Sequence, residues 1–402
     1  MGNLIYLDNA ATTWPKPDKV HEYMTAFFKE FGVNPGRSGY DKAMQAEEVV
    51  HQCRTELIKL FGGGSPDHCT FSYNATDSLN QVIQGVLWDG GHAVTTTLEH
   101  NSVLRPLYHL EHERGNPVTY IPFNSQGFID PDDIKNAIRD DTKLVIVNHG
   151  SNVIGTCQDI AAIGKICRDR GVFFAVDASQ TAGVVPVKLK EMNIDAVCFT
   201  GHKSLFGPTG IGGICTDDHV KIKSTRWGGT GVRSAQKTHL EEYPFRLEAG
   251  TLNTMGIAGL VAGQEFIREQ GGPKAIHHKE MALLKRLWEG IKDVEGITIY
   301  HAEDLENHIP VLSVNVDGFE SMNVGMVLDC DFDIATRTGL HCAPLVHEQM
   351  GTLPIGGTVR FSVGPFNTEE HIDRAIEGLK AAVEMGHLAN HHPTKKGYQS
   401  AK

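Results

Sequence analysis

No stretch of the 402-residue chain is apolar over a length that spans a bilayer, and the opening "MGNLIYLDNAATTWPKP" has no basic segment leading into an apolar one. Tyr6 stands where an N-myristoylation pattern wants Ser or Thr. These absences predict a soluble, cytoplasmic protein with no membrane partner. Basic residues are also short, 37 Lys and Arg against 49 Asp and Glu for a net charge of -12. That balance argues against a nucleic-acid partner, which usually meets a basic face, but leaves room for a local basic pocket holding a small anion. Cysteine is sparse and scattered, at positions 53, 69, 157, 167, 198, 215, 330 and 342, with no CxxC pair. Cys198 in "AVCFT" and Cys215 in "GGICT" sit in apolar runs and read as buried reduced thiols. No internal repeat is visible. A 40% hydrophobic composition over this length supports a large packed core, in two domains or in one with a smaller appendage.

Apolar β-rich runs alternate with helical segments through the first two thirds. "HAVTTTL", "PVTYIPF", "LVIVNHG", "VFFAVDA" and "AVCFT" read as short buried strands. Between them, "NSVLRPLYHLEHERG", "DPDDIKNAIRD" and "DIAAIGKICRDRG" read as helices, the last capped by Asp159 and closed at Gly171. Such alternation predicts an α/β fold with a mostly parallel sheet covered by helices. From about Gly256 the pattern changes to long helices, "GIAGLVAGQEFIREQGG" and "AIHHKEMALLKRLWEGIKDVEG", followed by "ITIYHA", "VLSVNVDGF" and "TVRFSVG" and a last helix "TEEHIDRAIEGLKAAVEMG". A smaller α+β C-terminal domain is expected there. The polar ending "NHHPTKKGYQSAK" reads as a disordered tail.

In "CFTGHKSLFGPTGIGG" a strand ends by presenting His202 and Lys203 to a glycine-rich turn. In open parallel sheets ligands sit beyond the carboxyl ends of the strands, and Asp177, ending "VFFAVD", shares that rim. An aspartate closing so apolar a strand is costly unless it meets a cation or donor. Pyridoxal phosphate uses both groups: its aldehyde condenses with a lysine, and its pyridinium nitrogen pairs with a carboxylate. "SYNATDSLNQVIQGVL" offers Ala75, Thr76 and Asp77 at a helix start for the phosphate, with Thr200 and His202 as further contacts. His100, after another strand end, can lie flat on the ring. Taken singly, a lysine after a strand is usually solvated and a strand-end Asp is often a cap. "GPTGIGG" can also be a phosphate loop, although it is neither a P-loop nor GxGxxG.

Eight motifs occur in order: "YLDNAATT", "NATDSLN", "VNHGSNVIGT", "VDASQ", "TGHKSLFGPTGIGG", "EAGTLNT", "RTGLHCAP" and "VRFSVGPFNTEEHID". With them the chain, from Tyr6 to about Met385, resembles the class V aminotransferase-fold enzymes, most closely the cysteine desulfurases. The resemblance implies the type I fold of pyridoxal-phosphate-dependent transferases. Residues 1–17 are then an arm packing on the small domain, 18–255 the large cofactor domain, 256–386 the small domain, and 387–402 a tail.

The resemblance also implies roles. Lys203 is the Schiff-base lysine, Asp177 holds the pyridinium nitrogen and Gln180 the ring hydroxyl. His100 stacks on the ring and assists proton transfer. Thr76, Thr200 and His202 bind the phosphate, and Thr251 reaches the phosphate of a partner subunit, which implies a homodimer. Asn152 and Arg360 grip the substrate α-carboxylate, and Arg337 begins the loop that carries Cys342. "RTGLHCAP" is similar to the short-loop branch (group II), in which Cys342 matches the catalytic cysteine, with Arg337 and His341 favouring its thiolate. Two departures stand out. Leu340 takes a place where that branch often has His, and Gly36 and Arg37 replace a common His-Arg pair on a partner-facing contact.

The reaction implied is conversion of L-cysteine to L-alanine, with a persulfide on Cys342 passed to a protein or small-molecule sulfur acceptor, as in iron–sulfur cluster assembly. Selenocysteine lyase, cysteine sulfinate desulfinase and epimerase chemistry would use the same lysine. A different class, a metal-binding scaffold, is suggested by 21 histidines and by His109 and His112 in "HLEHE". No Cys or carboxylate cluster completes that site with a recognised spacing, so no metal is expected.

Overall fold

The computed structural model describes residues 4–36, 40–301 and 303–391, with side chains through residue 386. Arg37, and residues 392–402 of the expected tail, lie outside the described residues.

The chain opens with β1 (Ile5–Tyr6), α1 (Asp18–Phe31) and α2 (Asp41–Leu60). The alternating part follows: β2 (Cys69–Ser72), α3 (Ala75–Val86), β3 (His92–Thr96), α4 (Asn101–Arg114), β4 (Val118–Ile121), α5 (Pro131–Ala137), β5 (Thr142–Asn148), α6 (Ile160–Arg170), β6 (Phe173–Asp177), β7 (Ala196–Thr200) and β8 (Gly212–Thr216). Then come α7 (Thr254–Glu269), α8 (Pro273–Ile291), β9 (Ile297–Ile299), β10 (Val311–Val316), α9 (Ser321–Phe332), β11 (Ile334–Ala335), β12 (Arg337–Gly339), α10 (Pro344–Gln349), β13 (Thr358–Ser362) and α11 (Glu369–His391).

Seven strands form one sheet in the order β2-β8-β7-β6-β5-β3-β4. All run parallel except β8, which is antiparallel to both neighbours. The central strands are buried because helices cover both faces, so "TKLVIVN" and "FFAVD" need no polar alternation. The expected strand at "PVTYIPF" is the edge strand β4, and three of its four residues are only half-buried. Two strands not singled out in the sequence, β2 and β8, complete the sheet. The anticipated α6 is capped as expected: Asp159 Oδ1 accepts from Ala162 N at 2.9 Å, and Gly171 ends it in the left-handed region.

A second, antiparallel sheet has the order β12-β13-β10-β9, and β1 pairs with β11. Ile5 and Leu7 belong to the core of this part. The next residues cross to the first sheet, where Thr12 Oγ1, Thr13 N and Lys16 Nζ all donate to His202 O. The division expected at residue 255 falls before the change of core. Ile257, Leu260, Val261 and Phe266 of α7 pack with the large sheet. The change occurs inside α8, where Ile276 belongs to the first core and Leu283, Leu284 and Leu287 to the second.

One buried ion pair ties α2 to the segment that leads into Thr251. Arg54 Nη1 and Nη2 each donate to Glu248 at 2.8 Å, and Glu248 Oε1 also accepts from Phe71 N at 2.6 Å. Arg54→Ala leaves a buried carboxylate without its cation. A loss of about 3–5 kcal/mol is expected in urea unfolding followed by circular dichroism. A shift no larger than an exposed pair gives would mean that the pair is wetted.

Candidate active site

Because β8 is the lone reversed strand, the carboxyl ends of the other six strands share one rim, and a cavity of about 210 Å³ lies there. It is lined by the ends of β5, β6 and β7 (Asn148, Asp177 and Thr200), the start of α3 and α4, and Lys203. The second sheet contributes Arg337, His341 and Arg360. Lys203 leaves β7 through Gly201, where a Cβ would lie 2.7 Å from Ile211 Cγ2 and 3.1 Å from Ile211 O. A Cβ on Gly212 would lie 2.7 Å from Phe199 O and 2.8 Å from the Asn74 backbone, so the β8 glycine lets the α3 turn close over the strand.

Burial brings the Lys203 amine down to about 8, assisted by the Arg360 and Arg337 charges and opposed by Asp177. Near physiological pH a minor fraction of the amine, far larger than for an ordinary lysine, is therefore neutral and able to act as a nucleophile or base. Asp177, buried at the end of β6, accepts from Ser179 N at 2.9 Å and Ser179 Oγ at 2.5 Å. His100 is the N-cap of α4, and its Nδ1 accepts from Ser102 N at 3.1 Å, which leaves Nε2 to carry the ring proton. Burial and the Lys203 charge lower its pKa to about 4, so the ring is neutral.

Two buried polar atoms at the cavity, Thr200 Oγ1 and His202 Nδ1, have no partner within the chain. Thr76 Oγ1 bonds Ser102 Oγ at 2.7 Å, and the first N–H groups of α3 have no carbonyl one turn back. Together these groups can hold an anion. Asp77 does not join them: its N–H bonds the Asn74 cap at 2.9 Å, and its carboxylate pairs with Arg226 at 3.0 Å. Gln180 lines the cavity and donates Nε2 to Ala10 O at 3.0 Å.

Arg360, 1% exposed, donates Nη2 to Asp8 Oδ1 at 2.6 Å and Nη1 to Asn152 O at 3.0 Å, and its Nε is unpartnered. Asn152 lines the same cavity. Its Nδ2 donates one N–H to His341 O at 2.7 Å and keeps a second N–H, while its Oδ1 has no partner within the chain. Asn101 N donates to Cys342 O at 2.7 Å. These two clamps hold His341 and Cys342 at φ 49° and 60°, a left-handed conformation that costs non-glycine residues roughly 1 kcal/mol or more each. The Cys342 thiol is half-buried, and Arg337 Nη2 approaches Sγ at 3.6 Å. His341 does not supply charge as anticipated. Burial pushes its pKa to about 2, and its Nε2 bonds Thr358 Oγ1 at 3.0 Å.

Thr251 lies outside this cavity, in a separate groove lined also by Arg54, Gly231, Tyr243 and Glu248. Among the described residues no three His, Cys, Asp or Glu side chains assemble as metal ligands, and no helix is long and apolar enough to cross a membrane. His112 of "HLEHE" stacks on Tyr108.

Sequence reasoning missed Asp8, Ser102 and Glu99. Asp8 lies in "YLDNAATT" and Ser102 in the helix start after His100, so motif and cap signals were present. Glu99 is fully buried beneath the cavity, where its Oε1 accepts from Thr96 Oγ1 at 2.7 Å and Asn148 N at 3.0 Å. Burial lifts it to about 8, against those two hydrogen bonds, so it is largely protonated at neutral pH.

The family described as Aminotransferase class-V matches residues 5–375. A probable cysteine desulfurase of Methanothermobacter thermautotrophicus is 33% identical, with 95% of each chain covered. Cysteine desulfurase IscS of Cronobacter sakazakii is 34% identical over 94% of this chain and 92% of that one. In fold, the apo structure of a cysteine desulfurase from Thermococcus onnurineus NA1 superposes with TM-score 0.87 at 32% identity, and the cysteine desulfurase CsdA of Escherichia coli with 0.85 at 25%, each with 95% of both chains covered. By sequence over nearly its whole length, and by the fold that carries this cavity, the chain belongs to the aminotransferase class-V family.

Proposed function

We propose that this chain is a pyridoxal-phosphate-dependent cysteine desulfurase that forms L-alanine from L-cysteine and carries the sulfur as a persulfide on Cys342. The residues fit the cofactor. Thr200 Oγ1 and His202 Nδ1 are unpaired and buried where a phosphate needs partners, beside Thr76 and the start of α3. Asp177 would meet the pyridinium nitrogen, Gln180 the ring hydroxyl and His100 the ring face. When bound, the cofactor supplies an electron sink for negative charge at the substrate Cα. Residues 18–255 are read as the cofactor-binding part and the following chain as the bearer of the Cys342 loop.

The chain's own groups divide the remaining work. The Arg360 guanidinium, with Nε free, binds the substrate carboxylate. The Lys203 amine takes the α-proton, and its depressed pKa makes it an effective base at neutral pH. The Cys342 thiolate attacks the substrate sulfur. An S–S bond forms as the Cβ–S bond breaks, and the electron pair stays with the carbon skeleton, which takes a proton and leaves as L-alanine. A reductant or an acceptor thiol then removes the terminal sulfur.

The observation that carries this reading is Arg337, which lines the Lys203 cavity and also touches Cys342 Sγ. One bound substrate can therefore meet both the base and the thiol. Incubation of the cofactor-loaded protein with L-cysteine and dithiothreitol is expected to yield alanine and sulfide in equal amounts. Exchange of the α-hydrogen without either product would assign the site to a different reaction. The loop from Leu340 to Ala343, only four residues between β12 and α10, supports the short-loop branch.

Thr251 supports a homodimer, since it lies away from its own chain's cavity, in a separate groove where it can serve a second subunit. Sedimentation is expected to show a dimer, and Thr251→Ala is expected to weaken cofactor retention by roughly tenfold, the worth of one hydrogen bond to a charged group. A fully active monomer would contradict this.

A further inference from the structure

Between Lys292 and Arg337 the sequence has ten Asp and Glu and no Lys or Arg, in a chain whose total net charge is -12. α9 lies in the middle of this stretch. Its Val324 and Leu328 belong to the second core, and Ser321 is buried beside them on the helix. Its opposite face is unusual for a surface helix. Met322 is 66% exposed, Met326 59%, and Cys330 is exposed too, at four-residue intervals that put all three on one line. By the same spacing Asp329 and Asp333 fall on that face. With Asp317, Glu320 and Asp331 they are exposed, and among the described residues none of the five is paired with a cation.

Further exposed apolar residues lie near the start of the helix. Ser321 Oγ donates to Gly356 O at 3.4 Å, joining the start of α9 to the turn Leu353–Ile355, where Leu353 and Ile355 are 42% and 53% exposed. On α9 itself Met322 and Met326 share a face with the unpaired Asp329 and Asp333, a combination that marks an interaction site rather than a merely solvated face. This surface flanks the Cys342 loop on both sides in the chain. α9 lies hard against β12, since a Cβ on Gly325 would sit 2.6 Å from Thr338 Cγ2. β12 ends three residues before Cys342, and the Leu353 turn follows α10, which begins two residues after it.

We infer that this face docks a sulfur-accepting protein that presents basic side chains around an apolar tip, and that docking brings the acceptor thiol to the Cys342 loop. The inference rests on the persulfide reading above. The partner's charge follows from the unpaired Asp329 and Asp333 on that face, and its apolar tip from Met322 and Met326. Electrostatic attraction would speed encounter, and the flexible methionine side chains would adapt to the tip.

Two synthetic acceptor peptides test this, each with one cysteine and the same leucines, one carrying lysines and the other glutamates. Transfer from the Cys342 persulfide to the lysine peptide is expected to be about tenfold faster at low ionic strength, with the advantage shrinking as salt is added. Asp329→Lys with Asp333→Lys, and separately Met322→Glu with Met326→Glu, are expected to weaken transfer to the lysine peptide. Alanine formation with dithiothreitol should be unchanged in both. Glu22→Lys with Glu30→Lys, an equal charge change on exposed positions of α1, should keep the preference. Equal use of the two peptides, or equal loss in the α1 control, overturns the proposal. So does a change in oligomeric state caused by the α9 charge reversal, which would make the face a contact between copies of this chain. Fluorescence anisotropy with labelled serine-for-cysteine peptides reads docking without catalysis. If no alanine forms with dithiothreitol, the sulfur chemistry has failed, and selective binding of the lysine peptide, lost in the α9 variants, still decides the docking face.

Discussion

Cys342→Ser is expected to abolish sulfur transfer while leaving the fold and the cofactor cavity intact. Serine matches cysteine in shape, and both residues meet the same strain at φ 60°. The loop clamps use only backbone atoms of the loop, His341 O and Cys342 O, so they survive the change. Arg337 loses its sulfur contact but still lines the cavity. A hydroxyl at neutral pH is a far poorer nucleophile toward sulfur than a thiolate, so sulfide release should fall by roughly three orders of magnitude or more. The absorbance change that L-cysteine produces in the cofactor-loaded protein should persist. Mass spectrometry of the wild type after L-cysteine treatment should find one additional sulfur on the Cys342 peptide, removable by dithiothreitol. The exposed Cys330 is the internal control, since it lies on α9 and should remain unmodified. Release of alanine and sulfide by the variant at the wild-type rate would end the persulfide mechanism.

Lys203→Ala is expected to have the other large effect, because it removes the covalent anchor and the base together. Borohydride reduction of the cofactor-loaded wild type should fix the label on Lys203, and a label on any other lysine would overturn the assignment. Loss of the general base alone is worth about 10²–10⁴-fold, and α-hydrogen exchange from L-cysteine should drop at least that far. The depressed pKa gives a further sign. The neutral amine is the reactive form, and its pKa lies near 8 instead of the ordinary 10.5. Condensation of the protein with added pyridoxal phosphate should therefore rise with pH and level off above about 8. A rate still climbing steeply at pH 10 would mean that Lys203 is solvated.

Much of this site could be read from the chain because it is built on strand ends. An apolar run followed by a lone polar residue, as at Asp177 and Thr200, marks where a parallel sheet meets solvent. The glycines after Lys203 mark a turn that must pass close to a neighbour. Residues whose roles depend on partners far along the chain were not legible in that way. Asn152, expected to grip substrate, also donates to His341 O, 189 residues away, a contact of that kind. His341 was expected to lend charge to the thiol, but burial among Arg360, His347 and Arg337 keeps it neutral. Asp77 followed the helix-start pattern correctly and is still excluded, because the Asn74 cap and Arg226 use both of its ends.

By itself the sequence determined the alternating α/β architecture, the helix caps at Asp159 and Gly171, the rim positions of Lys203 and Asp177, and the concentration of acid between Lys292 and Arg337. Those properties depend on short-range periodicity, turn chemistry and composition, which neighbouring residues are enough to specify. Only the tertiary structure decided that β8 runs against the sheet, that the core changes inside α8, that Asp8 holds Arg360, and that α9 packs on β12, the strand leading into the Cys342 loop. Each of these depends on which surfaces meet across large sequence separations. Burial and charge pairing at those meetings are set by the packing of the whole chain, and no local pattern encodes them.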